Sequence, residues 1–116
     1  MTRLRQRLLA FCACAALALA CTSPTLPLPP PIAPSIATGQ EPNTWKLTSQ
    51  NGAQPNALII TVNRNETLPR GERVAGTIAD EQGSWELEVL GTAGDVVDVS
   101  QEDGTTRSPS ISVTLR

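Results

Sequence analysis

The sequence predicts an all-β fold, a small antiparallel β-sandwich, for the part of the chain from Thr44 onward. Short segments there alternate between apolar and polar residues, as strands with one buried face do. Turn-forming Gly, Asn, Asp and Pro residues separate these segments, and no segment has a sustained helical period. A single sheet with one apolar face needs a second layer to cover it, so we expect a two-layer sandwich of six to seven strands.

Six of these strands are predicted from the period of two. The residues predicted to face the core are Trp45 and Leu47, then Leu58, Ile60 and Val62, then Val74 and Ile78, then Trp85, Leu87 and Val89, then Val97 and Val99, and last Ile111, Val113 and Leu115. The residues predicted to face solvent are Lys46, Thr61, Thr77, Glu86, Glu88, Asp98, Ser112 and Thr114. Turns are expected in the intervals 51–52, 63–71, 80–83, 91–95 and 102–109.

The chain begins with a segment that has the layout of a secretory signal. Residues 1–7 are polar and basic, and the interval 8–20 is an unbroken apolar run. A membrane-spanning helix needs roughly 20 apolar residues, and the prolines from Pro24 onward would interrupt a longer one. We therefore expect residues 1–20 to be a cleaved signal peptide rather than a permanent membrane helix.

The apolar run ends in LALAC at residues 17–21, which resembles the lipobox of bacterial lipoproteins. In that family the Cys thiol receives a diacylglycerol, the signal peptidase cuts just before it, and the new amino group is commonly acylated. The resemblance implies that Cys21 is the lipidated first residue of the mature protein. Ala18 stands where the family usually has Leu, and Thr22 implies outer-membrane sorting in a Gram-negative host.

The other two cysteines also lie in the apolar run. We expect Cys12 and Cys14 to leave with the signal, because the alternative, a Cys-x-Cys metal or redox pair, requires a folded domain to present them. Cys21 would then be the single cysteine of the mature chain. Its domain would have no intramolecular disulfide and would depend on its core for stability.

Residues 21–43 are predicted to be a linker that begins with the lipidated cysteine. Seven of the ten prolines fall between Thr22 and Pro42. Proline fixes φ and has no amide donor, so such a run favours extended conformations of about 3.1 Å per residue. A spacer of about 20 residues would reach up to ~60 Å. The alternative, that Pro27 to Pro30 is a ligand for a proline-recognising domain, lacks the flanking Arg or Lys such ligands carry.

A set of turn and strand residues in the predicted domain, 44–116, resembles a second family. The residues are Gly76, Asp80, Gly83, Ser84 and Trp85, then Gly94, Asp95, Val97 and Val99, then Asp103, Gly104, Ser108 and Pro109. They look like the immunoglobulin-like modules of bacterial surface proteins. The same succession of turn and strand residues occurs in the regulatory-like β-sandwich modules found beside carboxypeptidases. The resemblance implies an immunoglobulin-like β-sandwich that acts as a spacer, adhesion unit or binding accessory, without catalysis.

Composition argues against several functions. The chain has no His and no Tyr, so the commonest general base and metal ligand are absent. Removal of residues 1–20 would leave six of the nine Lys and Arg residues against all eleven Asp and Glu residues. Such an acidic domain disfavours nucleic acid, whose phosphates bind Lys and Arg. Ser and Thr hydroxyls have no His partner, so nucleophilic catalysis has little support.

Three groups of residues are candidates for chemistry, each with a structural interpretation beside it. The acids Asp80 and Glu81, Asp95 and Asp98, and Glu102 and Asp103 fall near turns, where they would ligate calcium if the turns converged. Ordinary turn formation explains the same residues, and no metal site is assigned. Trp85 is expected in the core, whereas Trp45 either packs or serves as a stacking platform for sugars. Glu86 and Glu88 are expected on a solvated strand face rather than as paired catalytic carboxylates.

The sequence thus predicts a lipid-anchored cell-envelope protein whose non-catalytic β-sandwich binds a partner or acts as a spacer. The expected partners are the membrane, through the lipid at Cys21, and a cell-wall or envelope protein, with no cofactor and no nucleic acid. The alternative is a carbohydrate- or peptide-binding accessory subunit of an envelope complex, or a subunit that contributes a domain to a larger envelope enzyme.

Overall fold

The computed structural model describes residues 27–116, so the signal peptide, Cys12, Cys14 and Cys21 lie outside the described residues. The described part of the chain forms strands and one short helix. In chain order these are β1 (Ser35–Thr38), β2 (Thr44–Ser49), β3 (Leu58–Asn63), α1 (Arg70–Arg73), β4 (Val74–Ile78), β5 (Trp85–Leu90), β6 (Val96–Asp103), β7 (Thr106–Arg107) and β8 (Ile111–Thr114). No helix within residues 27–116 is long and apolar enough to cross a membrane.

The strands form two antiparallel sheets. The first sheet has the order β1-β2-β5, and the second has the order β4-β3-β6, with β7 and β8 both pairing with β6. The two sheets pack face to face, as in a small β-sandwich, and this confirms the predicted all-β class. The six predicted strands are all present, and β1 and β7 are additional short strands that the alternation did not reveal.

The core lies between the two sheets. It is built from inward side chains of both sheets together with Ala79 and Leu115 at the ends of two strands. Its buried members are Leu47, Ile59, Ala79, Trp85, Val89, Val97, Val99, Val113 and Leu115. The predicted inward face is confirmed for β2, β5, β6 and β8.

The predicted face is wrong for β3 and β4. Ile59, Thr61 and Asn63 are buried, whereas Leu58 is 38% exposed and Ile60 and Val62 are partly exposed. Directly paired residues share a face of the sheet, and the register pairs Leu58 with Ile78, Ile60 with Gly76 and Val62 with Val74. Because β3 faces the opposite way from the prediction, β4 does too. Val74 and Ile78 therefore point outward and are 53% and 68% exposed.

The polar residues on the inner face of β3 are accommodated by hydrogen bonds. Thr61 is 1% exposed and donates from its hydroxyl to the carbonyl of Ala75 at 3.3 Å. Asn63 is 2% exposed, and its amide reaches the main chain of β5. Buried polar groups are tolerated where they have such partners. The face of β3 with more apolar residues is therefore not the face that is buried.

The predicted linker needs correction in the part that the structure describes. Ser35–Thr38 lies within 21–43, yet it forms edge strand β1 against β2, with Ser35 opposite Thr48 and Thr38 opposite Trp45. Residues 27–34 also contact the sandwich, since Leu28, Pro31 and Pro34 are buried. The amide of Ile32 donates to the carbonyl of Gly52 at 2.8 Å. We call residues 27–34 the proline-rich segment.

The antiparallel strands place the loops at two opposite ends of the sandwich. The proline-rich segment joins the loops 50–57, 79–84 and 104–110 at one end, which we call the linker end. The loops 39–43, 64–69 and 91–95 lie at the other end, which we call the cleft end. The four-residue helix α1 lies at the cleft end and leads into β4.

Candidate binding cleft

Two adjoining grooves open at the cleft end of the sandwich. The larger, of about 520 Å³, lies between the loop 39–43 and the loop that begins at Gly91, and Trp45 lines it. The smaller, of about 350 Å³, lies between Leu90 and the segment 65–72. Pro42, Asn43, Gly91 and Thr92 line both grooves, so the two grooves lie side by side, and we call the pair the cleft.

The first wall of the cleft is the turn that leads from β1 into β2. The Gly39 amide donates to the carbonyl of Thr44 at 2.8 Å, and the Thr44 hydroxyl donates to the carbonyl of Glu41 at 2.6 Å. Asn43 adopts a φ of 59°, a left-handed conformation that asparagine tolerates better than most residues. Its carbonyl accepts from the Gly91 amide at 2.9 Å, which joins this turn to the end of β5.

Trp45 belongs partly to the core and partly to the cleft. Its side chain is half-buried and packs against the core, and its indole Nε1 donates to the carbonyl of Gly91 at 2.9 Å. The indole nitrogen is therefore used within the protein, and the ring is held at the base of the larger groove. Trp45 therefore packs against the core and also lines the larger groove.

Beside the smaller groove lies a network centred on the carboxylate of Asp95, and Asn65, Leu90 and Thr92 belong both to this network and to the groove lining. Oδ2 of Asp95 accepts from Asn63 Nδ2 at 3.1 Å and from the Thr92 amide at 2.9 Å, while Asn65 Nδ2 donates to both carboxylate oxygens. Asn63 Nδ2 also donates to the carbonyl of Leu90 at 3.1 Å. The network thus connects β3, the end of β5 and the loop before β6 in one rigid unit.

These contacts change the acidity of Asp95. Partial burial alone would raise the pKa of this carboxyl, but the hydrogen bonds from Thr92, Asn63 and Asn65 outweigh it and hold the pKa below its ordinary value of 3.8. Asp95 is therefore ionised at neutral pH and acts as a fixed acceptor. Its neighbour on β6, Asp98, also has a lowered pKa, chiefly because Arg64 donates to it, while partial burial acts in the opposite direction.

The acids that were candidates for calcium do not come together. Asp95 lies at the cleft end, whereas Asp80 and Glu102 lie at the linker end of the molecule. Oδ1 of Asp80 accepts from the amides of Gln82 and Ser84 at 2.9 Å, which is turn formation. Within the described residues, no group of three or more Cys, Asp or Glu side chains is placed to hold a metal ion.

The remaining candidates occupy the positions that the strand period predicted. Trp85 is buried in the core, and its indole Nε1 has no hydrogen-bond partner among the described residues. Glu86 and Glu88 are exposed on the outer face of β5, and Glu86 forms a 2.7 Å ion pair with Lys46 on β2. Like its neighbour, Glu86 lies on a solvated strand face, which agrees with the structural interpretation.

The Asp95 network and the role of Gln101 are not predicted by the sequence patterns. Asn63 and Asn65 fall in a predicted turn, and Asp95 is a turn residue and a calcium candidate there. A buried Asn at the end of an otherwise apolar strand is the signal that would have singled out Asn63. Gln101 is 2% exposed at the linker end, on the inner face of β6. Asn63 and Gln101 have one feature in common: each is a polar residue at a strand position that faces the core.

Comparison of the chain with family models, with curated proteins and with solved structures gives no significant match. Its function is therefore inferred from its own residues and geometry.

Proposed function

We propose that the chain is a lipid-anchored cell-envelope protein whose β-sandwich is a non-catalytic binding module. The observation that carries this proposal is the separation of the two ends of the domain. The proline-rich segment, which follows the proposed anchor at Cys21, lies at the linker end, and the two grooves of the cleft lie at the opposite end. An anchored domain with this arrangement presents a concave surface away from the point of attachment.

The lining of the cleft supports binding rather than catalysis. A binding site for a small ligand is concave and combines apolar surface with a few oriented polar groups. The cleft has the Trp45 ring, Leu68 and Leu90 as apolar surface. Its polar side chains are amides, hydroxyls and the carboxylates of Glu41 and Glu72, and the sequence has no His to act as a general base beside a hydroxyl.

The charge of the cleft narrows the chemistry of its ligand. The charged side chains that line the two grooves are the carboxylates of Glu41 and Glu72. A negative lining repels anionic ligands, so a neutral glycan or a neutral to cationic peptide fits better than an acidic polysaccharide. This favours, as a second candidate function, an accessory subunit that binds carbohydrate or peptide within an envelope complex.

The proposed anchor rests on the sequence of the first 21 residues. The LALAC motif follows a basic segment and an apolar run, as in lipoproteins, and an attached acyl chain adds about 0.8 kcal/mol of transfer energy for each buried methylene. Two or more acyl chains hold a protein at a bilayer far more firmly than one. The outer membrane is the proposed site in a host that has two membranes.

Intact-mass analysis of the N-terminal peptide from the membrane fraction tests the anchor. The expected peptide starts at Cys21 and carries added acyl mass, and Cys21→Ser abolishes both the processing and the added mass. Cys14→Ser is the matched control and should leave the mature peptide unchanged. An unmodified N-terminus at another residue in the wild-type protein would contradict the proposal.

Titration with solubilised cell-wall polysaccharide tests the cleft. Trp45 lies at the cleft and Trp85 in the core, so a Trp85→Phe background makes Trp45 the single fluorescent tryptophan. Binding should shift its emission, and Glu72→Arg should weaken binding of a neutral or cationic ligand at least tenfold. Glu88→Arg, an equally exposed change on the outer face of β5, is the matched control. An unchanged emission with polysaccharide and with cell-wall peptides would contradict a binding role for the cleft.

A further inference from the structure

The outer surface of β3 and β4 has no polar side chain in the rows where the two strands pair. We call it the apolar face, and its members are Leu58, Ile60, Val62, Val74, Gly76 and Ile78. Three of these side chains, those of Leu58, Val74 and Ile78, are exposed, and the exposed fraction reaches 68% for Ile78. On the same two strands the inner positions hold Thr61, Asn63 and Thr77.

This arrangement reverses the usual distribution of side chains on a sheet. A strand of a monomeric sandwich directs its apolar residues inward and its polar residues to water. Here Thr61 and Asn63 are buried beside Ile59, Thr77 is half-buried, and the outer positions leave apolar surface in solvent. An apolar surface with a polar rim marks an interaction site, and the inverted strands indicate that the apolar face is covered in the functional state.

The residues at the two ends of β4 indicate what covers it. Arg70 and Arg73 precede the strand, and with Val62 and Val74 they line a shallow groove of about 260 Å³. Asp80 and Glu81 follow the strand at the opposite end, next to Ile78. The strand itself, Val74–Ile78, has no charged residue. The two arginines therefore lie at one end of the apolar face and the two acids at the other. At the arginine end, Asp98 is paired with Arg64, and Glu72 lines the smaller groove of the cleft.

We propose that the apolar face is the contact surface of a symmetric dimer of this chain. The two-fold axis lies in the contact plane and crosses the strands at the level of the Ile60–Gly76 pair. This reverses the strand direction of the second copy, so that Ile78 packs on the partner copy's Val74 end. Gly76 meets its own symmetry mate, where the missing side chain permits close approach.

Charge complementarity selects this orientation over the parallel one. In the antiparallel dimer the arginines of one copy lie beside Asp80 and Glu81 of the other, and the two-fold axis repeats the contact. A parallel dimer would place Arg70 beside Arg70 and Glu81 beside Glu81, which is repulsive. The small contact area belongs to the class of weak complexes, so we expect a dissociation constant on the order of 10 μM.

Sedimentation velocity of the full chain in a mild non-ionic detergent, over a range of concentrations, tests the dimer. The wild type should change from monomer to dimer as its concentration rises. Ile78→Lys should raise the dissociation constant at least tenfold, because it inserts a charge into the contact. Ser110→Lys, an exposed change at the linker end, should leave it unchanged. The thermal unfolding midpoint of each variant shows that the fold is retained.

Charge reversal tests the orientation. Arg70→Glu and Glu81→Lys each place like charges together in the antiparallel dimer and should each weaken it, whereas the double variant should restore it. A wild type that stays monomeric at every concentration, or a dimer that Ile78→Lys leaves intact, would overturn the proposal. Single variants that strengthen the dimer would overturn the antiparallel arrangement.

Discussion

Gln101 and Pro29, which are 72 positions apart in the chain, are joined by a 2.7 Å hydrogen bond from the side-chain amide Nε2 to the main-chain carbonyl. The other atom of the same amide, Oε1, accepts from the Gln54 backbone N–H at 2.8 Å. One buried side chain therefore connects the proline-rich segment and the β2–β3 loop to β6. Both polar atoms of the Gln101 amide are satisfied, which explains how a glutamine occupies an inward position.

Replacement of this glutamine should release the proline-rich segment. Gln101→Leu removes the donor to Pro29 and the acceptor for Gln54, so we expect a loss of about 1–3 kcal/mol in the free energy of unfolding. The Ile32 amide, which is bonded to Gly52, should exchange with deuterium at least tenfold faster. Gln82→Leu, in an exposed turn, is the control. Unchanged exchange at Ile32 would show that the buried prolines hold the segment without Gln101.

The Asp95 network should make the stability depend on pH. Because its pKa is lowered on folding, Asp95 contributes stability that is fully present above its ordinary value of 3.8 and is lost as the pH falls through its lower folded value. Asp95→Asn should destabilise the protein by about 1–3 kcal/mol at pH 7, because an amide nitrogen replaces one acceptor oxygen. The difference from wild type should shrink below pH 3.8 in urea titrations.

Asp98 provides the comparison for this pH effect. Its pKa is also lowered, so Asp98→Asn should remove a separate part of the acid sensitivity and leave the part due to Asp95 in place. The stability contributed by either residue falls as the pH falls, since each stabilises the fold in its ionised form. A difference between wild type and Asp95→Asn that stays constant down to pH 2 would contradict the role of the Asp95 carboxylate.

Gly91 should not accept a side chain. A Cβ at this position would lie 2.6 Å from Leu115 Cδ1 and 2.7 Å from Asn63 Nδ2. Gly91→Ala should therefore displace Leu115 in the core and Asn63 in the Asp95 network together, and lower the free energy of unfolding by about 1–3 kcal/mol. Gly94→Ala tests a different cause, because its φ of 96° is unfavourable but nothing lies within 4 Å of its Cβ. Thermal unfolding monitors both, and only Gly91→Ala should also alter the Trp45 emission.

The two buried polar residues of β3 should respond differently to apolar replacement. Thr61→Val keeps the shape and removes one long hydrogen bond, so its effect on the free energy of unfolding should be under about 1 kcal/mol. Asn63→Leu removes the side-chain donor to the Leu90 carbonyl and one of the donors to Asp95, so we expect a loss of about 2–4 kcal/mol. Equal effects in denaturant titrations would contradict the role given to Asn63.

The sequence predicts the strands of this fold better than it predicts their faces. In β5, Trp85 and Val89 alternate with two glutamates, so only one face can be buried. In β3 one face holds Leu58, Ile60 and Val62, and the other holds Ile59, Thr61 and Asn63. The first face is more apolar, but the second is the one that is buried. The register with β4 and the partners of Asn63 decide the outcome, and both depend on contacts far apart in the chain.

Local patterns also could not reveal β1 or the cleft. Ser35–Thr38 is short and has a proline shortly before and after it, which is typical of a linker, but an edge strand needs partners on only one side. The cleft is assembled from three loops whose residues look like ordinary turn formers. The network beside it forms because Asn65 and Asp95, 30 positions apart, meet at one end of the sandwich.

Attachment of the proline-rich segment to the sandwich restricts the volume that the proposed anchored domain explores. Only the chain from Cys21 to Pro27 would separate the proposed acyl group from the folded part, and fully extended it would span about 20 Å. A free spacer of ~60 Å would let the domain move through a layer about three times as deep and would lower its local concentration. Confinement to the thinner layer raises the effective concentration of neighbouring copies, so a weak contact between apolar faces becomes populated at modest surface density.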